Sequence, residues 1–381
     1  MKIKKLVSLG ILLGLVGCLA GCEKISSSWK FSGRSSALSS SGQSRSINSS
    51  DLNKKGALKS SKALPLAKIN GKVVNSQTLQ PISHAVVYHS GKVWKVDSNG
   101  GFAISSYNPN EPILIKASGF RQTSISQLEH PDVTARLIPF HATGLYLTHY
   151  GVSSKILREG VLSIIREGNL NALVLDVKGD RGYLSYKFPI PLAEEIGAHR
   201  VPTIKDIKIL IEQLHAQNIY VIGRIVVFKD NLLSAAHPEW AVIDSRNGKP
   251  WKDNEELGWV DPFKKEVWDY NIALAKEAAR AGFDEIQFDY VRFPTGGKIS
   301  ATQFSQANNM ENRIKTIRTF LEAVNRELLP YNVYFSADIF GYVPWNYNDT
   351  DIGQSITELA PCLDYLCLMV YPSGFHLGIP G

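Results

Sequence analysis

Four short stretches between residues 172 and 339 carry their polar residues on one face only. Those residues have chemical use. In Glu285–Asp289, Ile286 and Phe288 share one side of an extended segment while Gln287 and Asp289 share the other. In the stretch from Val333 to Ile339, the apolar face holds Val333, Phe335, Ala337 and Ile339, and Tyr334, Ser336 and Asp338 oppose it. Asp176 and Lys178 fall together at the end of Ala172–Lys178, and Arg224 shares a face with Tyr220 and Ile222. Carboxylates gathered at strand ends can donate protons, accept them or attack an electrophile. Asp289 and Asp338 are the candidates for that work, and Asp176, Lys178 and Arg224 are suited to positioning a substrate or tuning the acids' pKa. The competing reading of Asp289 is a structural salt bridge with Arg224, and that of Asp338 is the orientation of a neighbour.

The elements that hold these residues alternate. Strands are expected at Leu145 to Thr148, Ala172 to Lys178, Ile219 to Val227, Glu285 to Arg292, Val333 to Gly341 and Tyr365 to Tyr371. Helical periodicity runs over Ser154 to Glu167, Ile204 to Gln217, Glu266 to Ala281 and Asn312 to Leu328, the last with Ile314, Ile317, Leu321, Val324 and Leu328 in one stripe. Ser153 and Thr203 are the expected N-caps, with Gly168-Asn169 and Gly282 as helix stops. Such alternation implies a parallel sheet. An open sheet covered by helices on both sides would be apolar on both faces, whereas a barrel turns one face inward, so the polar faces favour an α/β barrel of the (β/α)8 TIM type. Active sites of that fold sit at the C-terminal ends of its strands. Only six strands are counted from Gly144, where a closed barrel takes eight, so the expectation is a TIM barrel truncated after the sixth strand and poorly stable alone.

The run FDEIQFDYVRFP at Phe283–Pro294 is specific enough to compare with known families. With LDVKGDRG at Leu175–Gly182, GRIVVFKD at Gly223–Asp230, WVDP at Trp259–Pro262, VWDY at Val267–Tyr270, SADIFGY at Ser336–Tyr342 and LMVYPS at Leu368–Ser373, it resembles a bacterial family of glycoside-hydrolase-type barrels. The resemblance covers Gly144 to Gly381 and implies kinship with the alpha-amylase type, whose nucleophile stands on the fourth strand and whose acid stands on the fifth. It therefore implies Asp289 as nucleophile or water-activating base and Asp338 as proton donor, a two-carboxylate glycosidase. If the two strands are neighbours at about 4.8 Å, the carboxyl groups fall within the roughly 5 to 9 Å that retaining and inverting enzymes use. On the same resemblance Trp259, Tyr290, Trp345 and Tyr371 are candidates to stack on sugar rings, and Arg292 is a candidate substrate contact; aromatic packing is the alternative for the rings. Asp261, followed by Pro262, reads as a helix cap.

The first half is of another kind. Basic residues at Lys2, Lys4 and Lys5 precede an apolar run from Leu6 to Ala20, the layout of a signal peptide, and Leu19-Ala20-Gly21-Cys22 resembles the bacterial lipobox. Cys22 is the expected lipidation site, with Cys18 as the alternative, placing the protein on a membrane of the cell envelope and facing the periplasm or exterior. A stretch rich in Ser, Lys, Gly and Asn, residues 22–65, reads as a flexible linker. From residue 66 to 140, short Val- and Ile-rich runs with frequent turns indicate a small all-β sandwich. Its Gly71-Lys72-Val73-Val74, Pro81-Ile82, Ala85-Val86-Val87, Asp97-Ser98-Asn99-Gly100-Gly101-Phe102 and Ala117-Ser118-Gly119-Phe120 resemble the carboxypeptidase regulatory-like domain, an accessory fold without catalytic residues.

Composition closes off other classes. The 381 residues are 44% hydrophobic and 20% charged, those of a globular chain with room for two folded units. The net charge of +7 includes three lysines of the leader, and the remaining small, scattered excess gives no footprint for nucleic acid. Nine histidines include no metal-binding pair at helical spacing, and the chain contains no HExxH, GxSxG or phosphate-loop motif, so no cofactor or metal is expected. His149, just after the first strand, is a lone histidine with a structural role as its default. Cys362 and Cys367 bracket an apolar strand and are poorly placed for a disulfide; Cys367 reads as a buried thiol. The expected partners are a polysaccharide or oligosaccharide and a membrane through the lipid anchor; a non-catalytic glycan-binding or envelope-structural lipoprotein is the alternative function.

Overall fold

A computed structural model describes residues 68–371 except Gln127 and Glu129, and all of these belong to one compact unit. The leader, Cys22 and the linker lie outside the described residues.

Residues 69–137 form two small sheets. The strands are β1 (Ile69–Asn75), β2 (Val86–His89), β3 (Lys92–Trp94), β4 (Gly101–Ile104), β5 (Ile113–Lys116), β6 (Thr123–Ile125) and β7 (Asp132–Leu137). One sheet runs β4-β1-β7 and the other β3-β2-β5-β6. Alternate residues of both sheets, among them Val73, Val87, Ile104, Ile113, Ile115 and Leu137, meet in one apolar core. Gly71 is required there, because a Cβ would fall onto the ring of Phe102.

From Gly144 the chain builds a six-stranded parallel sheet. Its strands are β8 (Gly144–Leu147), β9 (Ala172–Lys178), β10 (Tyr220–Val226), β13 (Glu285–Asp289), β15 (Tyr334–Phe340) and β16 (Tyr365–Met369), ordered β8-β9-β10-β13-β15-β16. The short strands β11 (Ile243–Asp244), β12 (Lys249–Pro250) and β14 (Thr302–Gln303) make a separate antiparallel sheet in the loops. Helices α1 (Lys155–Glu167), α2 (Pro191–Glu195), α3 (Ile207–His215), α4 (Asn231–Ala236), α5 (Lys265–Ala281), α6 (Met310–Leu328) and α7 (Ile356–Leu359) lie along the connections. Sequential strand order with every pair parallel is the winding of a (β/α) barrel wall.

Helix packing explains the apolar strand faces. Ile286 and Phe288 of β13 and Phe335, Ala337 and Ile339 of β15 join Ile317, Phe320, Leu321, Val324 and Leu328 of α6 in the main core, with Phe288 stacked on Phe320. Each of these side chains other than that of Ala337 contributes about 1.5–3 kcal/mol by leaving water. Gly282 closes α5 at φ 109°, and Gly168 closes α1. The starts differ from expectation. The Ser154 side chain, one residue beyond Ser153, caps α1 through Leu157 N, and Asp206 rather than Thr203 caps α3 through Ile209 N. Asp261 caps no helix either: its oxygens accept from Phe263 N at 3.0 Å and Ser305 N at 2.7 Å, tying two loops together.

The two parts share a polar seam at the N-terminal end of β15 and β16. The Lys116 ammonium, buried, donates to Val333 O at 2.8 Å and pairs with Asp364. The Tyr334 hydroxyl, aimed inward from β15, has Phe120 O at 2.7 Å and Ala117 O at 2.9 Å as acceptors for its one hydrogen, and Gly119 N donates to the Tyr365 hydroxyl. The Arg121 guanidinium lies 3.6 Å over the Phe140 ring.

Candidate active site

At the opposite end of the sheet, side chains from all six of its strands converge. Arg224 sits on β10 between β9 and β13, in register with Asp176 on one side and Gln287 on the other. Its Nη1 donates to Asp176 Oδ1 at 2.6 Å and its Nε to Asp289 Oδ2 at 3.0 Å. One guanidinium therefore spans two nearly buried carboxylates. Burial alone would lower the Arg224 pKa, but the charges of Asp289 and Asp176 outweigh it and raise it, so this cation is permanent. Asp176 is further held by the Tyr146 hydroxyl of β8 at 2.7 Å and by His149 N at 2.9 Å.

Asp289 is the last residue of β13. Its Oδ1 accepts from Tyr290 N at 2.6 Å, and Tyr290 occupies the left-handed region at φ 50°. A turn out of the extended conformation thus follows the acid directly and fastens its carboxylate to the main chain.

Asp338 lies one strand further on. The β13 and β15 register pairs Gln287 with Ser336 and Phe288 with Ala337, which sets Asp289 and Asp338 in adjacent positions on the inward face. Asp338 retains some accessible surface on that face but is otherwise enclosed by protein. Burial first, then the negative charge of Asp289, push its pKa well above the usual carboxylate range; Arg224 only partly opposes them. Its Oδ1 accepts from Gln287 Nε2 at 3.0 Å. Behind it, Gln354 accepts from Phe340 N and donates to Asp338 O, pinning the end of β15. The arrangement provides a carboxylate paired with a cation beside a carboxyl group whose surroundings favour the protonated form, the combination needed for a nucleophile or base and an acid.

The other expected contacts divide. Tyr371 is exposed, and its hydroxyl pKa is raised by partial burial and then by Asp338 and Asp289, which places it within their field. Trp345 is exposed in the turn Val343–Trp345 after β15. Tyr290 is half-buried, its ring flanked by Lys229 and Arg292. Lys178, Trp259 and Arg292 depart from expectation. A register shift lets β9 gain one residue on β10, so Lys178 aligns with Ile225 instead of following Asp176 inward. Its ammonium is wholly buried between Asp230 and Asn271, both at 2.9 Å. Trp259 is 1% exposed and donates to Asp253, so its ring belongs to the core and offers no face to a ligand. Arg292 is 7% exposed and donates to Phe293 O and Thr295 Oγ1, making it a loop brace.

Four residues of the cluster were not anticipated in their roles. Tyr146 and Gln287 carried no signal beyond facing inward. His149 engages Val201 O and Ser185 Oγ with its ring while its N–H holds Asp176, so it shapes the site without reaching into it. Cys367 stands beside Asp338 on β16, and burial with the neighbouring Asp338 pushes its thiol up to about 12. Cys362 and Cys367 are both free thiols, and Cys367 is partly exposed where full burial was expected.

A parallel α/β sheet wound in sequence order, with polar residues gathered at its strand ends, puts the chain in the class of (β/α)-barrel-like folds. Within that class the chain belongs to the family described as "putative glycosyl hydrolase domain", whose model matches residues 144–381. Among solved structures it is similar to a hypothetical protein from Ruminiclostridium thermocellum, 41% identical over 51% of this chain and 97% of that one, with a TM-score of 0.46. It is also similar to the glycoside hydrolase domain of PgaB (BpsB) from Bordetella bronchiseptica, 12% identical over 60% of this chain and 74% of that one, TM-score 0.42. Ega3 from Aspergillus fumigatus, solved with galactosamine, is 10% identical over 60% of this chain and 66% of that one, TM-score 0.36. No curated protein sequence matches the chain.

Proposed function

We propose that this protein hydrolyses a glycosidic bond in an envelope or extracellular polysaccharide, with Asp289 as the nucleophile or water-activating base and Asp338 as the proton donor. The observation that carries the reading is the contrast between the two acids: Arg224 pairs with Asp289, while the neutral Gln287 donates to Asp338, whose pKa burial and the Asp289 charge push above the usual carboxylate range. As the glycosidic bond breaks, Asp338 gives its proton to the departing oxygen and Asp289 supplies electrons to the anomeric carbon. Adjacency on neighbouring strands at about 4.8 Å favours the close spacing of roughly 5 to 5.5 Å at which the carboxylate attacks directly. Water then releases the sugar, returning its proton to Asp338. Tyr371, whose hydroxyl feels both acids, is an exposed ring suited to stacking on sugar, and Trp345, exposed in the turn after β15, is a second candidate.

The same reading makes residues 66–140 a carboxypeptidase regulatory-like β-sandwich, supported by two sheets around one core. Cys22 is the proposed acylation site, with the linker, residues 22–65, spacing the enzyme from the membrane; the lipobox pattern supports it. The test compares wild type with Asp289→Asn on a panel of envelope and extracellular polysaccharides. Cleavage that falls roughly 10⁴-fold in the variant is expected. Binding that survives the substitution, with no cleavage by either form, means a glycan-binding protein instead.

A further inference from the structure

We infer that Gln287 is a positioning residue that fixes which oxygen of Asp338 carries the catalytic proton; the inference rests on the glycosidase reading above. Asp289 and Asp338 receive different partners from the strands beside them. Arg224 directs its guanidinium at Asp176 and Asp289, and the residue level with it on β13 is the neutral Gln287. That amide, not a cation, reaches Asp338: Nε2 donates to Oδ1 at 3.0 Å. An oxygen that accepts an N–H bond is poorly suited to hold the acid hydrogen at the same point. The proton therefore resides on Oδ2, and Oδ1 is the carbonyl oxygen.

A neutral partner is suited to this task. A guanidinium or ammonium at the same place would favour the charged carboxylate and empty the acid of its proton, whereas an amide orients it with a much smaller bias. The position is defined from both sides, since Gln287 is in register with Arg224 on β10 and with Ser336 on β15. Ser336 is itself engaged below, donating to the buried Glu285, which also accepts from the Tyr220 hydroxyl. Beyond Asp338 the Cys367 thiol, the next group along the sheet, fills the remaining flank. Gln287 is the side-chain donor to Asp338, and it carries no charge.

The test uses Gln287→Met in the full chain, which keeps the length of the side chain and removes the donor. On a polysaccharide that wild type cleaves, kcat is expected to fall about 10-fold, the worth of one hydrogen bond, with KM within about twofold. The amide favours the ionised acid slightly, so its loss moves the alkaline limb of the kcat profile to higher pH. Infrared difference spectra read the same residue without turnover. The protonated-carboxyl band that disappears in Asp338→Asn should move to higher frequency in Gln287→Met as its carbonyl loses a donor. A kcat limb and an Asp338 band both unchanged in Gln287→Met would overturn the inference. A wild-type protein that cleaves nothing, but whose Asp338 band still shifts, would leave the positioning role standing and remove the glycosidase reading. Gln287→Glu, of the same shape, is the second variant: an acceptor in place of the donor should lower kcat further, and wild-type kcat in it also counts against the inference.

Discussion

Replacing Lys116 by methionine removes the cation at the centre of the seam between the two parts of the molecule. Lys116 and Asp364 have side chains 5% and 12% exposed, so the carboxylate left behind has little water to turn to. It would keep the Phe335 N–H at 2.8 Å but lose the Lys116 ammonium, and Val333 O would lose that donor as well. Breaking a buried ion pair from one side costs about 3–5 kcal/mol, and the residual exposure of Asp364 points to the lower figure. For a folded unit of this size each kcal/mol moves the midpoint by about 2 °C, so thermal unfolding should shift down by roughly 6 °C. Circular dichroism at constant pH measures it. The second arm is Lys116→Met with Asp364→Asn, in which no charge is stranded and most of the loss should return. A single variant that melts within a degree of wild type, or a double variant no better than the single, would refute the account of the seam as a structural joint.

Two further outcomes follow from the acid pair. Asp338→Asn should abolish proton donation, with cleavage falling by 10² to 10⁴ on the general-acid scale. It should also raise the melting temperature at neutral pH: a carboxyl whose folded pKa is raised weakens the fold as pH climbs from the unfolded value through the folded one, and the amide removes that penalty. Melting curves of both forms from acid to neutral pH check the sign, and a variant less stable than wild type at pH 7 would contradict it. Arg224→Lys keeps a charge but cannot serve Asp176 and Asp289 with separate donors; cleavage should drop at least about tenfold, measured as kcat/KM, and unchanged kinetics would mean that the fork is dispensable.

The strand faces were legible in the sequence because their signal is local. Ile286 and Phe288 against Gln287 and Asp289 is a period of two, and β13 and β15 obey it to the residue. Lys178 broke the pattern because one extra residue in β9 inverts everything after it, and no periodicity in a single strand registers its neighbour's length. Trp259 looked like a platform because an indole reads the same whether it faces water or Asp253. The seam was invisible for another reason. Lys116 and Val333 are 217 residues apart, and nothing near either one marks it as half of a contact. Residues 66–140 read as an accessory fold, and Lys116, Ala117 and Gly119 within them are bonded to the N-terminal ends of β15 and β16, in the sheet that carries the acids.

The left-handed turn at Tyr290 has a meaning for how the site withstands mutation. The bond that fixes Asp289 Oδ1 comes from a peptide N–H, and a peptide N–H is present whichever side chain the codon specifies. Exchange of the tyrosine ring leaves that donor in place, and glycine would occupy the same φ with less strain. Only proline, which has no N–H and no access to positive φ, deletes it. The orientation of the Asp289 carboxylate is thereby written into the main chain, where single substitutions have the least reach.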